Sequence, residues 1–157
     1  MKKLLYMSAF VFMLGACGGE TLEEVDFEDL TEEQQQALTE ELIAESERLQ
    51  QEDDAKFKEE SIHLDFATAS TGELPMETKV FITGEITTVL EEVNPSEFLF
   101  GKYLVTTTEG TFYIEMVVGT EMAEGNQVTL YGYYLGTDFY PGDEQFPTIG
   151  GKLVEFH

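Results

Sequence analysis

Apolar residues recur along this chain with two different periods. Leu38, Leu42, Ile43 and Leu49 fall on one stripe at helical spacing, while Glu40, Glu41, Glu45 and Glu47 occupy mostly the opposite side. Thr31 stands three residues before Gln34, a capping-box arrangement that supplies acceptors for the first free N–H groups of a helix. The pattern predicts a helix from Glu32 to about Phe57, preceded by a looser apolar group at Leu22, Val25, Phe27 and Leu30. The stripe is narrow and the heptads are few, so a solvated spacer and a coiled-coil or partner-binding helix both remain open.

From residue 61 onward the helical period disappears and β-branched and aromatic residues alternate with polar ones between Gly, Asn and Pro punctuation. Leu64 to Ala69 reads as a leading strand or extended arm and Ser70 to Pro75 as a loop. A long strand is expected from about Glu77 to Glu91, carrying Val80, Ile82, Ile86 and Val89, with Gly84 marking a bulge or bend. After the turn Asn94-Pro95-Ser96 come strands at Phe98 to Thr107 and Thr111 to Val117, joined at Glu109-Gly110. Two more follow, Gln127 to Leu135 and Thr148 to Phe156, separated by a loop rich in aromatic and acidic residues. The expectation is an all-β domain: a five-stranded OB-like barrel behind an acidic α-helical stalk.

The first residues carry a different message. Lys2 and Lys3 precede an apolar run from Leu4 to Leu14, eleven residues long, too short to cross about 30 Å of hydrocarbon as a permanent helix. Leu14-Gly15-Ala16-Cys17 closes the run and contains the only cysteine of the chain. The segment resembles bacterial lipoprotein signals, in which the thiol receives a diacylglyceryl group and becomes the mature N-terminus. That resemblance implies lipidation at Cys17, with palmitate-type chains holding the protein at the extracytoplasmic face of a cell-envelope membrane. Three segments are therefore expected: a signal peptide at 1–16, a lipidated acidic tether and helix at 17–60, and the barrel domain at 61–157.

Composition removes several function classes. The formal charge is -24, and removing the two signal lysines makes it -26. Such acidity opposes binding to phosphate backbones or anionic headgroups, which weighs against nucleic acid as a partner. With Cys17 acylated no thiol remains for a disulfide, a zinc site or nucleophilic chemistry.

Val80-Phe-Ile-Thr-Gly-Glu-Ile-Thr-Thr-Val89, then Gly125-Asn126 leading into Val128-Thr-Leu-Tyr-Gly-Tyr-Tyr-Leu-Gly136, and finally Ile149-Gly-Gly-Lys-Leu-Val154 give residues 76–157 a resemblance. They look like OB-fold domains of the tRNA-anticodon-binding-like type found in small bacterial lipoproteins. The resemblance implies a barrel with its ligand face on the second and third strands and flanking loops. Relatives that bind nucleic acid join stacking aromatics to a cationic groove. Here residues 61–157 set 15 acids against Lys79, Lys102 and Lys152.

No catalytic or cofactor motif emerges. His63 and His157 are the only histidines and stand in no triad, zinc-ligand or phosphate-loop spacing. Glu91 and Glu92, as strand neighbours, point to opposite faces and read as solvated rather than as a glycosidase pair. Asp138, Asp143 and Glu144 share one loop but match no EF-hand spacing, so no metal is assigned. Tyr131, Tyr133, Tyr134, Phe139 and Tyr140 form the candidate ligand-binding cluster, able to stack on a sugar, base or peptide, with core and loop-anchoring roles as the alternative. The reading is a non-enzymatic binding module without cofactor, for a protein or peptide partner, or alternatively a carbohydrate or small-ligand receptor using the tyrosines. Oligomeric state stays open.

Overall fold

The computed structural model describes residues 31–93, 101–116, 119–137 and 145–157. Cys17, the Asn94-Pro95-Ser96 turn, Phe139, Tyr140, Asp138, Asp143 and Glu144 lie outside these residues. The chain divides into two units, residues 1–50 and 51–157.

In the first unit the helix α1, Glu32–Glu60, begins as expected. Thr31 N donates to Gln34 Oε1 at 3.0 Å, and Gln34 N donates to Thr31 Oγ1 at 3.3 Å. Leu42, Ile43 and Leu49 are each about half exposed, and Arg48 forks onto Glu45 at 2.6 Å.

The second unit contains the last turns of α1 and the barrel. Its strands are β1 Ile62–His63, β2 Lys79–Glu91, β3 Lys102–Thr106, β4 Thr111–Met116, β5 Gln127–Gly136 and β6 Thr148–Phe156. The order β1-β2-β3-β4-β6-β5 closes through a further β2–β5 pairing. Setting aside the two-residue β1, the ring is a three-stranded meander whose third strand lies parallel to the last, with the fourth strand closing back onto the first. This is the strand order of an OB barrel.

Closure depends on β2 serving two neighbours in turn. Its first half pairs with β5 from Lys79↔Tyr133 to Glu85↔Gln127, and its second half pairs with β3 from Glu85↔Thr106 onward. Gly84 sits at the changeover, where a Cβ would lie 2.5 Å from the Thr106 carbonyl oxygen. Glycine is needed there for close approach. The register shifts come later, between Ile86 and Thr88 and between Val89 and Glu91. On the opposite wall β5 and β6 meet at Gly132 and Gly151, where a Cβ on Gly132 would run into the backbone of Gly150.

Alternation puts Val80, Ile82, Ile86, Tyr103, Val105, Phe112, Ile114, Met116, Val128, Leu130, Tyr134 and Ile149 into one core, all at 1 % exposure or less. The expected strand or arm at Leu64 to Ala69 and loop from Ser70 are corrected. Only Ile62 and His63 pair with β2, and Phe66–Thr71 forms a short helix, α2. Asp65 caps it, its Oδ1 accepting Thr68 N at 2.7 Å, and Gly72 ends it at φ 68. Ala69 is fully buried, and Phe66 meets Phe112 edge-on at 5.6 Å, so α2 packs on the core at the end where β2 and β4 begin.

Candidate functional site

β5 splits the tyrosine cluster by simple alternation. Tyr131 and Tyr133 stand on the outer face of the strand and are partly exposed, whereas Tyr134 is fully buried. The Tyr134 hydroxyl donates to the Ala69 carbonyl at 2.6 Å, joining the core to α2. Tyr134 is therefore a core residue with its polar end satisfied, not part of an outward ligand surface.

Tyr131 and Tyr133 do come together, and the structure adds residues to them that strand periodicity does not reveal. Phe81 of β2 lies 5.6 Å from Tyr131, and His63 of β1 stands edge-on to Phe81 at 5.3 Å. Phe57, from the last turns of α1, packs edge-on against Tyr133 at 5.1 Å and retains only 3 % of its exposure. Two ammonium groups lie over the Phe57 ring, Lys152 at 4.7 Å and Lys79 at 5.2 Å from its centroid, and Lys58 lies 5.6 Å over Tyr131.

Carboxylates complete the arrangement. Lys152 reaches Asp53 at 2.6 Å and Asp54 at 3.5 Å, Lys79 reaches Glu60 at 2.5 Å, and Lys58 reaches Glu155 at 2.7 Å. The lysine contacts hold the Asp53, Glu60 and Glu155 carboxyls below the usual carboxylate range and raise the three ammonium groups in return. Burial raises the Tyr131 hydroxyl, and the neighbouring Glu155 carboxylate adds to this. The outward tyrosines are thus a floor on which an acidic helix end rests.

A second outer face spans the later half of β2 with β3 and β4, where OB barrels conventionally bind. Thr87, Thr106 and Thr111 form a hydroxyl row, each link 3.1 Å. Lys102 pairs with Glu91 at 2.7 Å, and the Tyr113 hydroxyl donates to Glu115 at 2.9 Å. Glu92 is exposed, the His63 ring is occupied with Phe81, and His157 Nε2 hydrogen-bonds Thr129 Oγ1 at 2.9 Å. Among the described residues no cluster of three metal-ligating side chains occurs.

All six basic residues among those described are ion-paired: Arg48, Lys56, Lys58, Lys79, Lys102 and Lys152. Five of them pair at 2.5 to 2.7 Å, whereas Lys56 stands 3.9 Å from Glu60 and stays 70 % exposed. No protein-family model matches the chain, and no curated protein matches it. Among solved structures, the chain is similar to the hypothetical protein ygiW from E. coli at 14 % identity and a TM-score of 0.41, over 62 % of this chain and 91 % of that one. The OB-like assignment stands on strand order and pairing.

Proposed function

We propose that this protein is a lipid-anchored extracytoplasmic binding module whose barrel recruits a cationic protein or peptide and performs no catalysis. The anchor is argued from the lipoprotein-like signal ending at Cys17. The observation that carries the binding role is the charge arrangement. Every described cation has a carboxylate within ion-pair distance in the chain, and acids outnumber bases 32 to 8, so the field presented to a partner is that of the excess carboxylates. Such a field speeds encounter with a basic partner and repels polyanions, more strongly at low ionic strength. Receptor use of the tyrosine cluster has less support, because α1 rests on Tyr131 and Tyr133 and Tyr134 lies inside the core.

Crosslinking in intact cells at two ionic strengths, followed by identification of the captured protein, tests the reading. The expected capture is a basic protein, recovered less as salt rises. A salt-insensitive capture, or saturable binding of neutral oligosaccharides that Tyr131→Ala removes, overturns it. Fractionation of the Cys17→Ser protein tests the anchor separately: it should leave the membrane fraction or remain unprocessed. Mature Cys17→Ser protein held tightly on the membrane defeats the anchoring claim alone.

A further inference from the structure

The first half of α1 carries an apolar face that can be dried without stranding a hydroxyl. At about 100° per residue, Leu38, Leu42 and Leu49 project within about 40° of one another, and Ile43 bounds the same face about 100° beyond Leu42. Leu42, Ile43 and Leu49 are 48, 51 and 52 % exposed. Between the leucines and Ile43 lie Thr39 and Ser46, whose hydroxyls already donate to the helix's own backbone, to Gln35 O at 2.7 Å and to Ile43 O at 2.8 Å. Covering this face therefore removes aliphatic carbon from water and breaks neither of these hydrogen bonds.

We propose that this face docks a basic amphipathic helix of a partner protein. The proposal rests on the cationic-partner reading above and adds a contact on α1 to the one made by the barrel. Leu38, Leu42 and Leu49, four and then seven residues apart, occupy successive seam positions of a two-helix pairing.

The flanks decide the sign of the partner. Within residues 32–50 six glutamates stand against Arg48 alone. Arg48 is itself forked onto Glu45, its Nη2 2.6 Å from Oε1 and its Nε 3.0 Å from Oε2. Glu41 lies one turn before Glu45 on the same edge of the leucine ridge, and Glu40 and Glu47 lie behind it. A second copy of this helix sets that acid surplus against itself, and an anionic bilayer repels it in the same way. A helix whose leucine seam is flanked by Lys or Arg matches the apolar face and supplies the missing charge.

The test uses the full chain with Cys17→Ser and a fluorescent three-heptad peptide, with leucine at the seam positions and lysine at the flanking ones, titrated by anisotropy at physiological salt. Saturable binding with a micromolar Kd is expected. It should weaken about tenfold or more when the chain carries Leu38→Gln, Leu42→Gln and Leu49→Gln. A peptide that keeps the lysines but has alanine in the seam should lose as much with the unaltered face, which makes the outcome independent of how the triple variant folds. A peptide with the leucine seam and glutamate flanks should not bind. Absence of binding, equal binding of the leucine and alanine peptides, equal binding of the lysine and glutamate peptides, or binding undiminished in the triple variant each overturn the proposal. None of these outcomes bears on recruitment of a basic protein by the barrel, which the crosslinking in intact cells judges separately.

Discussion

Phe57 is the one α1 side chain that is buried, and it is buried against a wall of the barrel rather than in its core. Removing such a ring forfeits about 1.5 to 3 kcal/mol of apolar burial, so Phe57→Ala should lower unfolding stability by about that amount in a denaturant titration. Phe57→Leu keeps most of the apolar area but loses the ring faces that Lys79 and Lys152 address, and its loss should be smaller. At Tyr134 the polar end matters more than the ring. Tyr134→Phe keeps the packing but removes the donor to the Ala69 carbonyl, and a loss of about 1 to 2 kcal/mol is expected by the same titration. Alternation along β5 already separates Tyr134 from Tyr131 and Tyr133, so that division was legible in the sequence. Their cover was not, because Phe57 arrives from an element whose own period says nothing about which wall it meets.

Elements with a clean period were readable. β6 and the start of α1 fall where the pattern places them, and the long β2 follows from Val80, Ile82, Ile86 and Val89. The short α2 escaped because six residues are too few to show a helical period, although Asp65 ahead of Thr68 and Gly72 after Thr71 were its start and stop signals. The docking of α1 has a pH signature of definite sign. Asp53, Glu60 and Glu155 have depressed carboxyl values, so their contribution is present above the ordinary carboxylate range and is lost as pH falls through the depressed values. Lys58, Lys79 and Lys152 are raised, so theirs is present below the ordinary lysine value and is lost as pH rises through the raised ones. Amide-exchange protection of residues 53–60, corrected for intrinsic rates, should stay level through neutral pH and fall in strong acid. Concentrated salt should reduce it only partly, since Phe57 burial does not depend on charge.

At the scale of the molecule, the barrel core among the described residues lies within residues 61–157, with Phe57 packed outside it. A chain of residues 61–157 should therefore unfold cooperatively, and one beginning at Gln51 should be more stable by about the 1.5 to 3 kcal/mol assigned to the Phe57 ring. A cooperative transition that needs residues before 51 would show that the core extends further. Charge decides the behaviour toward polyanions. Neutralising even six phosphates requires a cationic footprint and produces a salt dependence of about three decades between 50 and 200 mM. With every described lysine and arginine already paired, an anisotropy titration with single-stranded DNA or RNA at physiological salt should show no appreciable binding.

The double duty of β2 also orders events in time. Its first half has no ring partner until β5 has been made, and β4, already paired with β3, gains its second neighbour only with β6, the last of the described strands. Under the extracytoplasmic location proposed above, a chain crossing the membrane N-terminus first can pair the later half of β2 with β3 and β4 early, but cannot close the ring. Contacts this distant in sequence place folding in the millisecond-to-second regime typical of β barrels, and the ring closes only once β6 is available.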